Sequence, residues 1–348
     1  MKMKEDKVLK DWKNDETGMD KKFARRIVWR TRLSLGLTVL RTLFVILFLY
    51  ILYIIPVSIY YHASGKEAEF DRLVTTLVET RHPAISVDKS SVGNTEINPL
   101  LTQHTTLAIY KKIGDWEVIV GEVTARKMLF GKVSYTIDFN QKYLNLDNGN
   151  SFAVSPDLLG EKLVDSQGDT TKNQIREQLN MVEDGFVAQI QFSTKESMSP
   201  EGMREVLEDY DVNIQQMPVY GGELTEVESP SGKAGQFTFV PSLMLTPALR
   251  FGENSRSFSS DGSLSTGDSL DDAIDQFIEN MDWLIETGNY RDRDLDKQRL
   301  EYMKENGVKV FGATVTGPVR EVEKLIEEDS FHQFYLGGIE VWNWHSVQ

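Results

Sequence analysis

The chain has 348 residues, a formal net charge of −15 and no cysteine. The absence of cysteine excludes disulfides, thiolate metal sites and cysteine nucleophiles. Because 40% of the residues are hydrophobic and 10% are aromatic, the chain can build sizeable cores, which excludes disorder over its whole length.

One segment near the N-terminus predicts a transmembrane helix. Residues 42–61 read TLFVILFLYILYIIPVSIYY, twenty positions without a charge. About 20 apolar residues at 1.5 Å per residue match a hydrocarbon core of ~30 Å. Arg41 precedes the run, and Tyr60 and Tyr61 close it as an aromatic belt. The alternatives are a buried core helix and a signal peptide cleaved near residues 63–65, but the run is long for a signal sequence.

The charge distribution predicts how this span is oriented. Residues 1–41 carry twelve basic and six acidic residues, a net charge of +6, which leaves −21 for the rest of the chain. Basic residues close to a span favour the cytoplasmic side. We therefore predict a single-pass cell-membrane protein with a cytoplasmic arm, residues 1–41, and an extracytoplasmic region after residue 61. The orienting basic residues are Lys21, Lys22, Arg25, Arg26, Arg30, Arg32 and Arg41.

The arm itself is too short to bury a core of its own. Phe23, Ile27 and Val28 stand among basic residues, which predicts a juxtamembrane amphipathic turn against anionic lipid headgroups. Two interpretations of the arm stay open. It is either an orientation signal alone or a segment that folds onto a partner protein.

Two predicted segments follow the span. From Phe70 onward apolar residues recur at i, i+3, i+4, i+7 and i+8, which predicts a juxtamembrane amphipathic helix within residues 62–82. Residues 83–160 form a predicted β-rich segment, because apolar and polar residues alternate there and Gly114-Asp115 marks a turn.

Residues 161–348 are predicted to form an α+β domain, and its first part is one β-α-β unit. Residues 186–193 and 212–219 have the composition of strands. Between them Ser199 and Pro200 predict the start of a helix, with the serine hydroxyl as N-cap and proline at the first helical position.

The middle of this domain is predicted to be an insertion. It contains a short strand at 236–241 and a mobile loop at 256–269, where Gly and Ser are abundant. A long helix then begins at the capping residue Asp268 and ends at Gly288, and a second helix covers residues 292–306.

A second β-α-β unit closes the chain. Residues 308–315 form its first predicted strand, Gly317-Pro318 opens its helix, and residues 338–344 form its last strand. The predicted fold is therefore an α+β extracytoplasmic region of two β-α-β units and a β-rich segment, behind one transmembrane helix. A ferredoxin-like sandwich is the candidate topology.

Chemical motifs are few. The chain has no GxxxxGK[ST], GxSxG, HExxH or GxGxxG, and its five histidines lack metal-ligand spacing. The acidic run from Asp268 to Asp282 fits a solvated helix face better than a Ca²⁺ loop, because it fails the EF-hand spacing. Residues 316–318 follow a strand and could either hold an anion or cap a helix. We predict no catalytic residue, no cofactor and no metal, and the acidic outer region argues against direct nucleic-acid binding.

The C-terminal residues also carry a recognisable pattern. A strand with glycine is followed by Thr-Gly-Pro and a helix, and the chain closes on Trp-Asn-Trp; the residues are Gly312, Thr316, Gly317, Pro318, Trp342, Asn343 and Trp344. This pattern resembles the end of the bacterial sigma factor regulator family. Residues 187–212 and 23–45 resemble the family's preceding β-α-β segment and its N-terminal anchor region.

The resemblance implies a membrane anti-sigma factor for an extracytoplasmic-function sigma factor, without catalytic residues. Here about 41 residues precede the span, fewer than family members usually carry to grip a sigma factor. The leading hypothesis is a membrane regulator whose outer domain responds to the envelope. Its inner arm would contact a sigma factor or a partner membrane protein, and the bilayer holds the chain. The alternative is a tethered ligand-binding module or enzyme of the envelope without sigma-factor contact.

Overall fold

The chain divides into two compact units, Met1–Ala63 and Ser64–Gln348. We call the second unit the distal domain. The computed structural model describes residues 21–140, 152, 155, 169–222, 242–252, 257–260 and 262–345.

The first unit contains one long helix, α1 (Lys21–Ala63), with Pro56 inside it. Within the described part of the chain, α1 is the one helix long and apolar enough to cross a membrane. Its large apolar side chains, such as Phe44 and Phe48, are exposed, which suits a surface that lipid covers. At 1.5 Å per residue, its 43 residues extend about 65 Å, roughly twice a hydrocarbon core. The backbone at the predicted juxtamembrane turn around Phe23 therefore belongs to a continuous helix.

Helix α2 (Lys66–Arg81) is the central helix of the distal domain, within the predicted range 62–82. Gly65 precedes it with a φ of 70°, a left-handed conformation that ends the preceding helix. The sequence predicts one apolar face, and that face is buried. The polar residues Asp71 and Glu79 are buried as well, so the helix is a core helix covered on more than one side.

Hydrogen bonds compensate these two buried carboxyl groups. Asp71 Oδ1 accepts from Thr95 Oγ1 at 2.6 Å and from Thr105 Oγ1 at 2.7 Å. Glu79 Oε1 accepts from the Val87 N–H at 2.7 Å. Burial raises the pKa of Asp71 above its usual value despite these donors, and it raises the pKa of Glu79 to about 7.

The predicted β-rich segment forms an antiparallel sheet, which we call the first sheet. Its order is β1-β3-β4-β5, and β2 also pairs with β3. The turn at Gly114-Asp115 joins β3 to β4, as predicted. The strands are β1 (Ser86–Val87), β2 (Glu96–Ile97), β3 (Gln103–Ile113), β4 (Trp116–Lys127) and β5 (Ser134–Phe139).

The remaining elements are a mixture of helices and strands. In chain order they are α3 (Asp169–Asn180), β6 (Phe186–Met198), α4 (Pro200–Leu207), β7 (Asn213–Tyr220), β8 (Leu243–Leu245), β9 (Leu249–Phe251), β10 (Phe258–Ser260), α5 (Gly267–Thr287), α6 (Arg293–Asn306), β11 (Lys309–Pro318), α7 (Val319–Ile326) and β12 (Phe331–Val341). The domain is thus a mixed α+β structure.

The second sheet has the order β12-β6-β11-β7-β8, with every neighbouring pair antiparallel. Strands β6 and β7 both run antiparallel to β11, so they are parallel to each other with β11 between them. By the same reasoning β11 and β12 are parallel and flank β6. Strands β9 and β10 pair separately.

Several predicted helix ends are confirmed. Ser199 Oγ accepts from the Gly202 N–H at 3.1 Å, and Pro200 is the first residue of α4. Helix α5 ends at Gly288, and α6 ends at Gly307, whose φ is 77°. Helix α5 begins at Gly267, one residue before the predicted cap, and Asp268 lies in its first turn.

Three predictions for the strands and loops need correction. Strand β11 continues to Pro318 rather than ending at residue 315, and its ladder with β6 includes the pair Gly317↔Ala188. Pro318 is also the N-cap of α7, so the predicted start of that helix is confirmed. Strand β12 covers residues 331–341 rather than 338–344. Bulges in its pairing with β6 interrupt the regular alternation of apolar and polar residues by which a strand is predicted from sequence.

The third correction concerns the loop predicted to be mobile. Residues 258–260 form β10, and Leu264 is fully buried. The Leu264 N–H donates to the Ile214 carbonyl at 2.9 Å, and the Ile214 N–H donates to Ser265 Oγ at 2.9 Å. The segment is held because it pairs with a strand about fifty residues earlier, which local composition cannot indicate. The predicted strand at 236–241 lies outside the described residues.

A buried ionic cluster fixes the end of α2 to α6. Arg81 Nη2 lies 2.5 Å from Asp296 Oδ2, and Arg299 Nη1 lies 3.6 Å from Asp296 Oδ1. The side chains of Asp296 and Arg299 are 1% and 4% exposed. The Arg81 guanidinium also lies 5.2 Å from the centre of the Tyr290 ring.

Replacing Asp296 therefore tests this cluster. We expect Asp296→Ala to lower the free energy of unfolding of residues 64–348 by about 3–5 kcal/mol, because two guanidinium groups lose their buried counter-charge. The matched control is Asp282→Ala, which breaks the exposed pair with Lys304 (2.6 Å, both side chains 45% exposed) and should cost less than about 1 kcal/mol. Urea unfolding followed by tryptophan fluorescence measures both changes. Equal small effects would contradict the role of the cluster.

Candidate functional site

The residues singled out by the C-terminal pattern lie on two neighbouring elements. Gly312, Thr316, Gly317 and Pro318 belong to β11, and residues 342–344 follow β12. Thr316, Asn343 and Trp344 come together around the β3–β4 turn of the first sheet. Gly312 lies further along β11 and stands apart from them. We call the five residues Gly114, Asp115, Thr316, Asn343 and Trp344 the motif junction.

The hydroxyl of Thr316 is the centre of this junction. The Gly114 N–H donates to Thr316 Oγ1 at 2.5 Å, and Thr316 Oγ1 donates to the Ala188 carbonyl at 3.0 Å. Thr316 is fully buried. One buried hydroxyl thus joins the turn of the first sheet to two strands of the second.

Gly114 has no room for a side chain at this position. Its φ is 61°, in the left-handed region that favours glycine. A Cβ atom here would lie 2.7 Å from Val187 Cγ2 and would also overlap the Asn343 side chain. Glycine is therefore required both by the turn and by the close approach of the two sheets.

The residues after β12 cover the same turn. The Asp115 N–H donates to Asn343 Oδ1 at 3.1 Å, and Trp116 Nε1 donates to the Val341 carbonyl at 3.0 Å. Trp344 is 6% exposed, and its Nε1 donates to Asp211 Oδ2 at 2.9 Å. These bonds hold the chain end against the turn.

Apolar packing and close backbone approach support these hydrogen bonds. Trp344 packs with Ile113 and Val187 in a small buried cluster. A Cβ on Gly317 would lie 2.7 Å from the Asp211 carbonyl oxygen, so this glycine lets the chain before β7 pass close to β11.

A pair of buried amides extends the contact along β3. Gln189 Nε2 and Gln215 Nε2 both donate to the Lys112 carbonyl, at 2.9 Å and 2.8 Å. Gln189 Nε2 also donates to Gln215 Oε1 at 2.8 Å. Neighbouring Lys111 is 5% exposed, and burial lowers its pKa to about 8. The second sheet therefore binds the end of β3 through hydrogen bonds as well as through apolar packing.

The other sites considered from the sequence receive no support as ligand sites. The hydroxyl of Thr316 is already bonded, and Gly317 and Pro318 lie in the ladder between β11 and β6. Among the described residues no three His, Asp or Glu side chains group to hold a metal. In the acidic run, Asp272 pairs with Arg250, and Asp282 pairs with Lys304.

A polar pocket of about 100 Å³ lies between the first sheet and residues Ser260 and Gly262. Lys89, Tyr110 and Lys112 line it, and both lysines donate to carbonyls across it, to Ser260 at 3.3 Å and to Gly262 at 3.4 Å. Pockets for drug-sized ligands measure roughly 300–1,000 Å³. This pocket has room for a few water molecules or a small ion.

The basic residues predicted to orient the span lie together in the N-terminal half of α1. Side chains are described from residue 25 onward, and those of Arg25, Arg26, Arg30, Arg32 and Arg41 are all exposed. Lys21 and Lys22 occupy the first turn of the helix backbone.

Comparison with known proteins then assigns the family. The Sigma factor regulator N-terminal family matches residues 21–118, and the Sigma factor regulator C-terminal family matches residues 179–338. The chain belongs to the sigma factor regulator family. A relative described as "Probable anti-sigma-M factor YhdL" of Bacillus subtilis (strain 168) is 23% identical over 293 residues, 82% of this chain and 74% of that protein. No solved structure matches the chain.

The motif junction contains residues from both family regions. Gly114 and Asp115 lie in the region matched by the N-terminal sigma factor regulator family, and Thr316 lies in the C-terminal one. The junction is therefore one of the places where the two family regions contact each other. The sequence indicated the turn and the C-terminal pattern separately, but it missed that they touch, and it missed Asp211 as the partner of Trp344.

Gly114→Ala tests the fit of this junction. Gly93→Ala is its control, because Gly93 also has a positive φ (96°) while a Cβ there meets nothing within 4 Å. Both variants should lose about 1–3 kcal/mol of unfolding free energy through backbone strain. Gly114→Ala should lose about 1–3 kcal/mol more because its methyl group overpacks against Val187. Urea unfolding of residues 64–348 measures the difference, and equal losses would contradict the close fit.

Proposed function

We propose that this sigma factor regulator is a single-pass membrane anti-sigma factor. Its residues 1–41 lie in the cytoplasm and bind an extracytoplasmic-function sigma factor, or a partner membrane protein that does so. Its distal domain lies outside and responds to the state of the envelope. The observation that carries the proposal is that the N-terminal family match, residues 21–118, contains the apolar stretch together with the basic residues before it, and that the C-terminal family match, residues 179–338, follows in the distal domain.

The charge distribution supports the proposed orientation. Exposed arginines lie along the N-terminal half of α1, and the residues after residue 41 carry a net charge of −21. Basic residues flanking a span are retained in the cytoplasm. The similarity to the Bacillus subtilis relative supports a sigma factor as the partner, because that protein is described as a probable anti-sigma-M factor.

The arrangement of the distal domain supports a mechanical, non-catalytic role. Strand β3 begins beside Lys66, three residues after α1, and ends at the motif junction. Its 11 residues cover about 33 Å at roughly 3.3 Å per residue. A displacement of the junction would therefore be passed along a paired strand to the start of α2, and no cofactor or substrate is needed.

We also propose that the second sheet with α4 and α7 is a ferredoxin-like sandwich. Helix α4 joins β6 to β7, and α7 joins β11 to β12. In the order β12-β6-β11-β7, β11 lies between β6 and β7, and β6 lies between β11 and β12. Helices α5 and α6 would then be an insertion between β7 and β11, and β8 an added edge strand.

The orientation can be tested directly because the chain has no cysteine. We expect a membrane-impermeant maleimide to label Asp275→Cys on intact cells, because Asp275 is an exposed residue of the distal domain. Lys7→Cys should react only after the cells are opened, because the arm lies inside. Labelling of Lys7→Cys in intact cells would reverse the proposed topology.

The partner is tested with the full-length chain in lipid nanodiscs. We expect the chain to capture one member of a panel of purified extracytoplasmic-function sigma factors, and a variant lacking residues 1–20 to lose that capture. Met181→Ser is the control, because Met181 is 78% exposed on the distal domain and should not affect binding. If the full-length chain retains no sigma factor while a membrane protein co-purifies, direct sequestration is wrong.

A further inference from the structure

Four large apolar side chains are exposed on two loops of the first sheet. Phe130 is 92% exposed, Leu100 81%, Met128 57% and Leu129 47%. Single exposed apolar residues are ordinary on protein surfaces, but clusters of them mark contact surfaces. We call these four residues the apolar loop tips.

The two loops lie side by side at one end of the sheet. The turn that carries Leu100 closes between β2 and β3, where Asn98 Oδ1 accepts from the Leu100 N–H at 2.9 Å. The turn that carries Phe130 begins directly after Lys127. Because Lys127 pairs with Gln103, the first residue of β3, the two turns flank the same ladder position.

That end of the sheet is tied to the membrane anchor by the chain itself. Gln103 Nε2 donates to the Lys66 carbonyl at 3.0 Å. Lys66 begins α2, and only Ser64 and Gly65 separate it from Ala63, the last residue of α1. Three Cα–Cα steps of 3.8 Å reach about 11 Å. Lys66 therefore stays within about that distance of the end of α1, and Gln103 at the end of the ladder is bonded to Lys66.

The loop that carries Phe130 is held in place rather than folded back. The Val133 N–H donates to the Asn289 carbonyl at 2.7 Å, and Asn289 Nδ2 donates to the Gly131 carbonyl at 3.3 Å. The Gly131 N–H closes a turn onto the Met128 carbonyl at 3.0 Å. The tip thus presents its side chains outward on a fixed base.

Basic residues surround the tips. Lys132 is exposed beside Phe130, Arg126 is exposed on β4, and Lys127 lies at the same end of the sheet, as does Lys66, which is paired with Glu69 at 2.5 Å. Aromatic and aliphatic side chains flanked by lysine and arginine are the composition of segments that enter the headgroup region of a bilayer.

We propose that the apolar loop tips insert into the bilayer surface at the C-terminal end of α1 and fix the distal domain against it. This rests on α1 crossing the bilayer. Lipid is favoured over a protein occupant because only two residues separate α1 from Lys66, which is bonded to Gln103 at this end of the first sheet.

The test uses full-length single-cysteine variants, which the cysteine-free chain allows without background. Phe130→Cys and Leu100→Cys carry an environment-sensitive fluorophore in vesicles of phosphatidylcholine and phosphatidylglycerol. Met181→Cys is the matched control, because Met181 is similarly exposed, next to α3, which packs on β12 at the edge of the second sheet opposite β8. Phe48→Cys within α1 reports separately whether the anchor is inserted.

We expect the labels at 130 and 100 to emit at shorter wavelength than the label at 181 and to be quenched by nitroxide-bearing lipids. The label at 181 should be quenched by aqueous iodide instead. If the label at 48 is quenched by the lipids while those at 130 and 100 behave as the label at 181 does, the insertion is wrong although the anchor holds. A label at 130 that is protected from iodide but not quenched by lipid nitroxides would show a protein occupant and also overturn the proposal. A label at 48 open to iodide would reject the anchor, and the insertion with it.

Discussion

The bond from the Gly114 N–H to the buried Thr316 hydroxyl is the constraint on which the distal domain depends. It joins the turn of the first sheet to the end of β11, and the same hydroxyl continues to the Ala188 carbonyl on β6. A buried donor left without an acceptor costs about 1–3 kcal/mol, so moving the turn away from Thr316 would destabilise the domain by about that amount. Gly114 has no space for a side chain, and Asn343 and Trp344 close over the turn. Within the distal domain, the parts of the two family regions that follow residue 63 are therefore held together in one fold.

The first sheet connects this junction with the start of α2, three residues after the end of α1. At one end of β3, Gln103 contacts Lys66, the residue that begins α2. At the other end the Lys112 carbonyl accepts from two glutamine side chains of the second sheet. Helix α2 runs through the core beside it, with Asp71 bonded to Thr105 of β3 and Arg81 bonded to Asp296 of α6. In the proposed function, an envelope signal at the second sheet reaches the anchor through these contacts.

Local patterns predicted the parts of this structure that depend on local forces. The span, the turn at Gly114, the cap at Ser199 and the ends of α5 and α6 at glycine follow from apolar runs, turn residues and capping groups. The failures involve partners distant in sequence. Gly317 and Pro318 remain in β11 because β6 pairs with them, and Leu264 is ordered because Ile214 binds it. Asp71 lies on the polar face of α2, yet it is buried, because Thr95 and Thr105 cover it and donate to its carboxylate. For the same reason the C-terminal pattern could be recognised, but its contact with the turn could not.

Hydrogen exchange of the Gly114 amide in the full-length protein tests the central claim most directly. The comparison is between the parent chain and Thr316→Val, which keeps the shape of the side chain and removes the hydroxyl. The account predicts that the Gly114 amide exchanges at least about tenfold faster in the variant, since about 1.4 kcal/mol of lost protection corresponds to that factor. The amide of Thr124, within the ladder of β4, should keep its protection. Unchanged protection at Gly114 would contradict the account, because the turn would then be held without the Thr316 hydroxyl.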